Sequence, residues 1–318
     1  KADGSDTDKA VIENVLNDGD VMSKTEGGDS HYIAGNVGGI VGRAENTDIT
    51  NAENKENTIA GAHNVGGVAG FLGGDSTVDT GVNNGGDITA TGARRDDSYV
   101  QERVRPYSPE ENEAFNVGNI GGIVGYLFGD DAKVKNSGNR GTVHSANIDN
   151  VDNVPETAKA ANVGGVVGKI DTPEATTLDE IKNYAQNGYA DGQPTVLNSY
   201  STGNVRGYTG VGGVVGMMYN GSVAGSYNLG TVQSSRAVSG GREPLNMGGV
   251  VGDTTEDTKA NAVIYDVYNA GTIGDDDYEY YGRHVGGVVG RLSGTVEKAY
   301  NTGDIYNGYG TVGGIVGW

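Results

Sequence analysis

Val37-Gly38-Gly39-Ile40-Val41-Gly42 is a hexapeptide that returns along the whole chain. Eight copies, two of them looser than the others, stand in 318 residues, so the sequence is a repeat array. The other seven copies occupy residues 65–70, 120–125, 163–168, 211–216, 247–252, 285–290 and 312–317.

A second signature alternates with the hexapeptide: Asn or Ser, any residue, Gly, any residue, then Val or Ile. One copy carries Asn57 at the glycine position. Asn is the non-glycine residue that best tolerates the left-handed backbone, so this position is predicted to need a positive φ angle. The eight turn positions are Gly19, Asn57, Gly86, Gly141, Gly203, Gly230, Gly271 and Gly303.

The repeat is short and rich in β-forming residues. Gly38 and Gly66, in consecutive hexapeptides, are 28 residues apart. Each unit holds three short apolar segments separated by Gly and Asn turns, and no 3.6-residue stripe favours helix. The pattern predicts an all-β fold, a parallel β-solenoid (right-handed β-helix), with about seven full rungs plus complementary half-rungs at each end. Residues 11–318 would form this single solenoid after a flexible or docked arm at residues 1–10.

Insertions interrupt the array mainly at one corner, between a turn and the next hexapeptide. Such a corner is where solenoids usually carry a binding surface. Helical turns are expected only in insertions, at residues 108–114 and 173–184. The insertions are residues 92–115, 145–161, 171–195, 234–245 and 274–283.

Stacked rungs would align equivalent side chains in ladders. Four tyrosines precede the turn at one phase and predict an aromatic ladder, for which a structural role is favoured over a carbohydrate platform. Asn228, Asn269 and Asn301 predict an amide ladder beside it. The tyrosines are Tyr200, Tyr227, Tyr268 and Tyr300.

Composition excludes several classes of protein. The chain has no Cys, so it has no disulfide framework or thiolate metal site. Gly interrupts every apolar run well short of the roughly 20 residues of a membrane span, so no membrane insertion is expected. The formal net charge of −20 argues against nucleic acid and anionic lipid as partners.

The two ends of the array are complementary in phase. The chain begins with the later segments of a rung and finishes on a hexapeptide, and Lys1 in place of Met indicates a processed protein or an excised segment. Two hypotheses stay open: one molecule completes the split rung of the next, which generates a filament, or the chain is a piece of a longer surface protein. The candidate assembly residues are Val11, Ile12, Val15, Val312, Ile315, Val316 and Trp318.

Val-Gly-Gly-(Ile/Val)-Val-Gly followed by (Ser/Ala)-Tyr-Asn-x-Gly-x-(Val/Ile) resembles the GLUG-motif repeats of bacterial and archaeal surface proteins. These include adhesins and the non-catalytic N-terminal region of IgA-specific metalloproteases. The likeness covers residues 11–318 apart from the insertions. It implies an extracellular or cell-surface solenoid, and it transfers no protease activity because His-Glu-x-x-His is absent.

Sequence motifs for catalysis are absent as well. No nucleophile elbow or phosphate-binding loop occurs, and the four histidines are far apart in sequence. No cofactor is expected. Calcium is the metal that the acidic loops would suit, because carboxylate oxygens are its preferred ligands, but solvated acidic loops without a metal are the favoured interpretation. The candidates are Asp130, Asp131, Asp275, Asp276, Asp277 and Glu279.

The sequence therefore predicts a non-enzymatic, extracellular structural or adhesive module, for which head-to-tail self-assembly into a filament is one of the two open hypotheses. One alternative is a monomeric segment of a larger adhesin that binds a host or cell-surface protein or glycan. The other alternative is a polysaccharide-acting β-helix enzyme, which would need a groove lined with carboxylates.

Overall fold

Parallel β-strands dominate the computed structural model, which describes residues 1–4, 8–23, 35–61, 63–90, 118–129, 131–145, 162–172, 177–187, 195–208, 210–234, 246–254, 261–275 and 282–318. Within these residues the strands form four sheets, and every strand pair is parallel. We number the sheets 1 to 4 in the order in which the chain visits them from each hexapeptide.

Sheets 1 and 2 have eight strands each in the described part of the chain. The strands of sheet 1 are Asn36–Gly38, Asn64–Gly66, Asn119–Gly121, Asn162–Gly164, Gly210–Gly212, Asn246–Gly248, His284–Gly286 and Thr311–Gly313. Those of sheet 2 are Ala2–Asp3, Val41–Glu45, Ala69–Gly73, Val124–Phe128, Val167–Asp171, Val215–Tyr219, Val251–Asp253 and Val289–Arg291.

Sheet 3 has twelve strands and sheet 4 has six, again counted over the described residues. The strands of sheet 3 are Ala10–Asn17, Thr47–Asn54, Thr77–Asp79, Val82–Asn83, Lys133–Lys135, Gly138–Asn139, Val196–Leu197, Tyr200–Ser201, Ser222–Ala224, Tyr227–Asn228, Ala262–Asn269 and Gly294–Asn301. Those of sheet 4 are Val21–Met22, Thr58–Gly61, Asp87–Ala90, Val143–His144, Val205–Gly207 and Val232–Ser234. Bridges through Ile273 and Ile305 continue sheet 4.

The chain coils through sheets 1, 2, 3 and 4 seven times between Asn36 and Ile305. Partial turns flank this stack. The first includes Ala2–Asp3, which pairs with sheet 2, and the last places Thr311–Gly313 in sheet 1. The predicted parallel β-solenoid with about seven full rungs is therefore confirmed, and its right-handed sense stays a prediction.

The hexapeptide bends in its middle, so each turn of the coil has four sides and not the three segments expected. In the second copy Asn64–Gly66 lies in sheet 1, Gly67 and Val68 form the bend, and Ala69–Gly73 lies in sheet 2. The hexapeptide looks like one apolar run in the sequence because its residues before and after the bend both face the interior.

The bend also divides the core into two apolar clusters. Val211, the first residue of its hexapeptide, packs with sheet-4 residues such as Val205 and Val232. Val214 in the bend and Val215 after it join the larger cluster between sheets 2 and 3. All three hexapeptide valines are fully buried, and each such side chain contributes roughly 1.5–3 kcal/mol of burial free energy.

The predicted reason for the turn glycines is wrong. Neither Asn57 nor the glycines of that column have positive φ angles. From Gly141 onward the column needs glycine because consecutive turns stack closely: a Cβ at Gly203 would overlap the carbonyl oxygen of Gly141, and one at Gly230 would overlap that of Gly203. Positive φ angles belong instead to another column, Asn14, Asn51, Thr80, Asn136, Asn198, Gly225, Asp266 and Lys298.

The helix in the described part of the chain is Leu178–Asn187, in the insertion between sheets 2 and 3. The expected helical turn at residues 173–184 is thus confirmed with shifted bounds. Thr177 sets its start, because the Thr177 hydroxyl accepts from the backbone N–H of Glu180 while the Glu180 carboxylate accepts from that of Thr177. This is a capping box. Ile181 then packs on the outer face of sheet 3, against Ala224, Val263 and Tyr265.

The other insertions, residues 92–115, 145–161, 234–245 and 274–283, connect a sheet-4 position to the next sheet-1 strand. They fall mostly outside the described residues, as does the helical turn expected at residues 108–114. The strand Val205–Gly207 of sheet 4 is followed almost at once by the strand Gly210–Gly212 of sheet 1. The coil can therefore close at this corner without an insertion.

Candidate interaction surfaces

The acidic calcium candidates lie mostly outside the described residues, which include only Asp131 and Asp275 of the set. Among the residues that the structure describes, no group of three or more His, Asp or Glu side chains could hold a metal ion. Calcium binding therefore stays a prediction without geometry, and a site must be sought elsewhere.

Two of the four histidines, His63 and His284, lie at the start of sheet-1 strands, on different rungs. His63 and His284 are buried, but His63 precedes the second strand of sheet 1 whereas His284 opens the seventh. Five rungs, about 24 Å at 4.8 Å each, separate them. His31 lies outside the described residues.

His144 lies on sheet 4 beside a carboxylate. Its Nε2 is 3.0 Å from Asp87 Oδ1, and its Nδ1 is 3.0 Å from the carbonyl oxygen of Ser145. Burial alone would lower the pKa of His144, but the hydrogen bond and charge of Asp87 raise it above the ordinary value. The pairing with Asp87 orients the His144 imidazole and favours its charged form.

Acidification from pH 6.5 to pH 4 is expected to destabilise the solenoid through His63. Burial lowers the pKa of His63 to about 4, whereas the unfolded value is about 6.5. Between these values the unfolded chain binds a proton that the folded chain does not, so the free energy of unfolding falls by about 1.4 kcal/mol per pH unit. Urea unfolding at pH 7, 6 and 5 measures this slope. His63→Gln should flatten it, and His144→Gln should not.

The tyrosine ladder forms as predicted. The ring centroids of Tyr200 and Tyr227 are 5.4 Å apart, those of Tyr227 and Tyr268 4.9 Å, and those of Tyr268 and Tyr300 5.0 Å. Interplanar angles of 5–11° make the rings parallel. Because each interior ring face is covered by its neighbour, the stack offers ring edges and hydroxyls to solvent. A sugar cannot lie flat on the interior rings, which favours the structural reading.

Tyr268→Ala is expected to destabilise the solenoid about twice as much as Tyr300→Ala. Tyr268 stacks on two neighbours and Tyr300 on one, and each aromatic contact contributes about 0.5–1.5 kcal/mol. Losses of about 2 and about 1 kcal/mol should appear in urea unfolding of the two variants. Equal losses would show that stacking contributes nothing beyond each ring's own burial.

The amide ladder is longer than predicted and has one direction. Asn228 Nδ2 donates to Asn269 Oδ1 at 2.8 Å, and Asn269 Nδ2 donates to Asn301 Oδ1 at 2.7 Å. Each amide also donates to a turn carbonyl two residues later. A further run with the same polarity passes along Asn17, Asn54, Asn83, Asn139 and Ser201.

A second amide ladder was missed. It joins Asn36, Asn64, Asn119 and Asn162 on sheet 1, with Nδ2–Oδ1 distances of 2.8, 2.8 and 3.0 Å. The sequence contained the signal for this ladder, since an Asn stands directly before each of these four hexapeptides.

An aromatic and cationic strip on sheet 2 was also missed. Phe71 packs edge-on to Tyr126 at 5.6 Å, and the Arg43 guanidinium lies 4.1 Å from the Phe71 ring centroid. Lys169 lies 5.9 Å from the Tyr126 ring. These side chains lie on the outer side of sheet 2, away from the core cluster. Phe71 and Tyr126 are nevertheless only 4% and 2% exposed. The strip is a packed layer of the molecule and not an open binding surface.

The predicted assembly residues lie at the two opposite ends of the stack. Val11 is 61% exposed on the first rung, and Val312 and Trp318 are 51% and 58% exposed on the last. Ile12, Val15 and Val316 are half-buried, and Ile315 is exposed. One molecule therefore presents two separate apolar end faces, which we call the N face (residues 8–22) and the C face (residues 294–318).

The sequence profile described as the GLUG motif matches residues 33–60, which hold the first hexapeptide and its turn. The chain carries the GLUG motif. The later hexapeptides continue the same strand columns of sheets 1 and 2, so the matched unit contains one structural repeat of the solenoid.

Halomucin of Haloquadratum walsbyi is 30% identical to this chain over 309 residues, or 94% of the chain. The chain spans only 3% of the length of halomucin, so the likeness concerns one segment of that protein. It indicates that this arrangement of repeats can stand within a much longer chain.

A crystal structure from Bacteroides ovatus, proposed to be an immunoglobulin A1 protease, has the same fold. It matches with a TM-score of 0.53 over 98% of the present chain and 85% of the other chain, at 16% identity. At that identity the likeness concerns the fold alone. Within the described residues no helix has both the length and the apolar character needed to cross a membrane.

Proposed function

We propose that the GLUG chain is a non-catalytic structural and adhesive module of a surface or extracellular protein. The stack of seven turns with a continuous apolar core carries this proposal, because such a stack is a stiff spacer that holds its corners at a constant spacing. The segment likeness to halomucin supports an extracellular setting.

Surface labelling tests the location. An antibody raised against the 318-residue chain should label intact cells of the source organism, and brief external protease treatment should remove the label. A cytoplasmic protein labelled in parallel controls for cell integrity. Label that appears only after lysis would contradict a surface role.

Turnover assays test the absence of catalysis. The purified chain is expected to leave immunoglobulin A1 and acidic polysaccharides intact over a day, at the same level as a heat-denatured sample. Release of fragments or of new reducing ends above that control would favour the polysaccharide-acting or proteolytic alternative.

Adhesion through the corner insertions is the second candidate function, favoured because four insertions share the connection between sheets 4 and 1. Host-protein and glycan arrays should detect binding that is lost when residues 92–115 are shortened to a connection like residues 207–210. A matched control shortens residues 145–161 in the same way. A molecule that stays monomeric and binds through its corner would be an adhesin segment. Binding unaffected by any shortening would contradict the corner as the binding surface.

A further inference from the structure

The helix Leu178–Asn187 belongs to one turn of the coil and packs on two others. We number the seven turns from the first sheet-1 strand, so the insertion that carries the helix lies in turn 4. The Ile181 side chain is only 1% exposed. It packs against Ala224 of turn 5 and against Val263 and Tyr265 of turn 6. The helix therefore connects turns that are not neighbours in the stack.

An ion pair sets how far along the stack the helix reaches. Lys182 Nζ lies 2.6 Å from Glu297 Oε2, on the sheet-3 strand of turn 7. The helix has ten residues, so it is about 15 Å long at 1.5 Å per residue. Three turn spacings of about 4.8 Å give nearly the same length. The helix is thus long enough to cover the sheet from turn 4 to turn 7.

The outward side chains of sheet 3 change character where the helix lies. In turns 1 to 3 one outward column is polar, and its Asp79 and Lys135 form an ion pair at 3.3 Å. In turns 4 to 6 the same column is apolar, and its side chains belong to the cluster around Ile181. The sequence of the sheet therefore matches the helix that covers it. The column in turns 1 to 7 is Thr50, Asp79, Lys135, Leu197, Ala224, Tyr265 and Glu297.

Backbone hydrogen bonds beside the helix join the turns that it covers. The Asn198 N–H of turn 4 donates to the Ala224 carbonyl of turn 5 at 3.0 Å. The Gly225 N–H of turn 5 donates to the Tyr265 carbonyl of turn 6 at 3.2 Å. A turn of a solenoid contacts only its neighbours and can open locally. Here, separating turns 5 and 6 moves Ala224 away from Tyr265, so Ile181 loses part of its apolar surroundings.

We propose that the helix is a clamp that makes turns 4, 5 and 6 open as one unit. The chain holds the helix to turn 4, and Ile181 holds it to turns 5 and 6. Opening any of the three turns therefore exposes a buried apolar side chain to water. The clamp adds to the spacer role proposed above, because it determines which part of the stack stays closed. Its test uses the folded chain alone and does not depend on where the protein is located.

Native-state hydrogen exchange of the 318-residue chain tests the clamp through the start of the helix. Thr177 is exposed, and its side chain caps the helix together with Glu180. Loss of an N-cap weakens a helix about fivefold. Thr177→Ala should therefore accelerate exchange of the Asn198 and Gly225 amides about fivefold each. The Thr80 amide should be unchanged, because it makes the equivalent bond, to the Lys135 carbonyl at 3.1 Å, between turns 2 and 3.

Ile181→Ala should give the same pattern with a larger amplitude. Truncation of a buried Ile is expected to accelerate exchange of the Asn198 and Gly225 amides about 100-fold. Gln186→Ala is the matched control, because Gln186 is exposed on the same helix, and it should leave both amides unchanged. If Ile181→Ala prevents folding, Ile181→Val removes less of the side chain and should accelerate both amides about fivefold.

Three results would overturn the clamp. Acceleration confined to the amides of the helix itself would make the helix a passive cover. Acceleration at only one of Asn198 and Gly225 would show that the turns open separately. Equal acceleration at Thr80 as well would show that the whole solenoid opens as one unit. Equal acceleration at Asn198 and Gly225 with Thr80 unchanged is the result that supports it.

Discussion

Gly203→Ala is expected to destabilise the folded chain by about 3 kcal/mol or more, whereas Gly19→Ala leaves it unchanged. Both glycines occupy the same column of turns. A Cβ at Gly203 would overlap the Gly141 carbonyl oxygen, and a Cβ at Gly19 would meet nothing. Relief at Gly203 requires two stacked backbones to separate, and overpacking of this kind costs about 1–3 kcal/mol or more.

Urea unfolding and native-state hydrogen exchange measure the two variants. A stacked array can open locally, so the amides of sheet 4 next to residue 203 should lose protection first. The comparison separates close approach from backbone conformation, because neither residue has a positive φ angle. If both variants lost the same stability, the helical and turn propensities of Ala would explain the effect and the stacking argument would fail.

The spacing of the repeats was sufficient to predict which residues stack on each other in successive rungs. Tyr227 and Tyr268 stand at the same distance before their turn glycines, and parallel stacking with a constant register then brings their rings together. The same reasoning predicted the amide ladder through Asn228 and Asn269. Period and register are properties of spacing, which a sequence displays directly.

The conformational role of individual columns could not be predicted in the same way. Asn57 at a glycine position suggested a positive φ angle, but close approach between rungs is a different demand that also selects small or absent side chains. The real left-handed column holds Asn at four of its eight positions, together with Asp266 and Gly225, and only Thr80 and Lys298 depart from the residue types that favour a positive φ angle. The signal was therefore present in the sequence but was assigned to the wrong column, the one that holds Asn57.

The burial of side chains on the outer side of the solenoid could not be predicted from the sequence either. Ala69 and Leu72 both face the core, so strict alternation along this strand does not place Phe71, which belongs to a separate cluster. The sequence also does not show what packs on the outer face, where Phe71 is only 4% exposed. The ends of the stack were easier, since an incomplete rung at each end predicts exposed apolar residues such as Val11 and Val312.

Asn83→Asp is expected to destabilise the chain by about 4 kcal/mol at pH 7, the largest effect of any ladder substitution considered. Asn83 is fully buried. Its Nδ2 donates to Asn139 Oδ1 at 2.7 Å and to the Gly86 carbonyl at 3.0 Å, and its Oδ1 accepts from Asn54 Nδ2 at 2.9 Å. A carboxylate keeps the acceptor and loses both donors, so acceptor oxygens would face each other in a buried site.

The same substitution should make stability depend on pH with a defined sign. Burial raises the pKa of a carboxyl group in the folded chain above its unfolded value of about 3.9. As pH rises through 3.9 the unfolded chain ionises first, so the destabilisation of Asn83→Asp grows from pH 4 to pH 7. Asn204→Asp is the matched control: Asn204 is exposed, and its Oδ1 only accepts from the Thr231 N–H, as a carboxylate can. Urea unfolding of both variants at pH 4 and 7 should separate them. A ladder held together only by side-chain packing would tolerate both substitutions alike, because Asn and Asp have nearly the same shape.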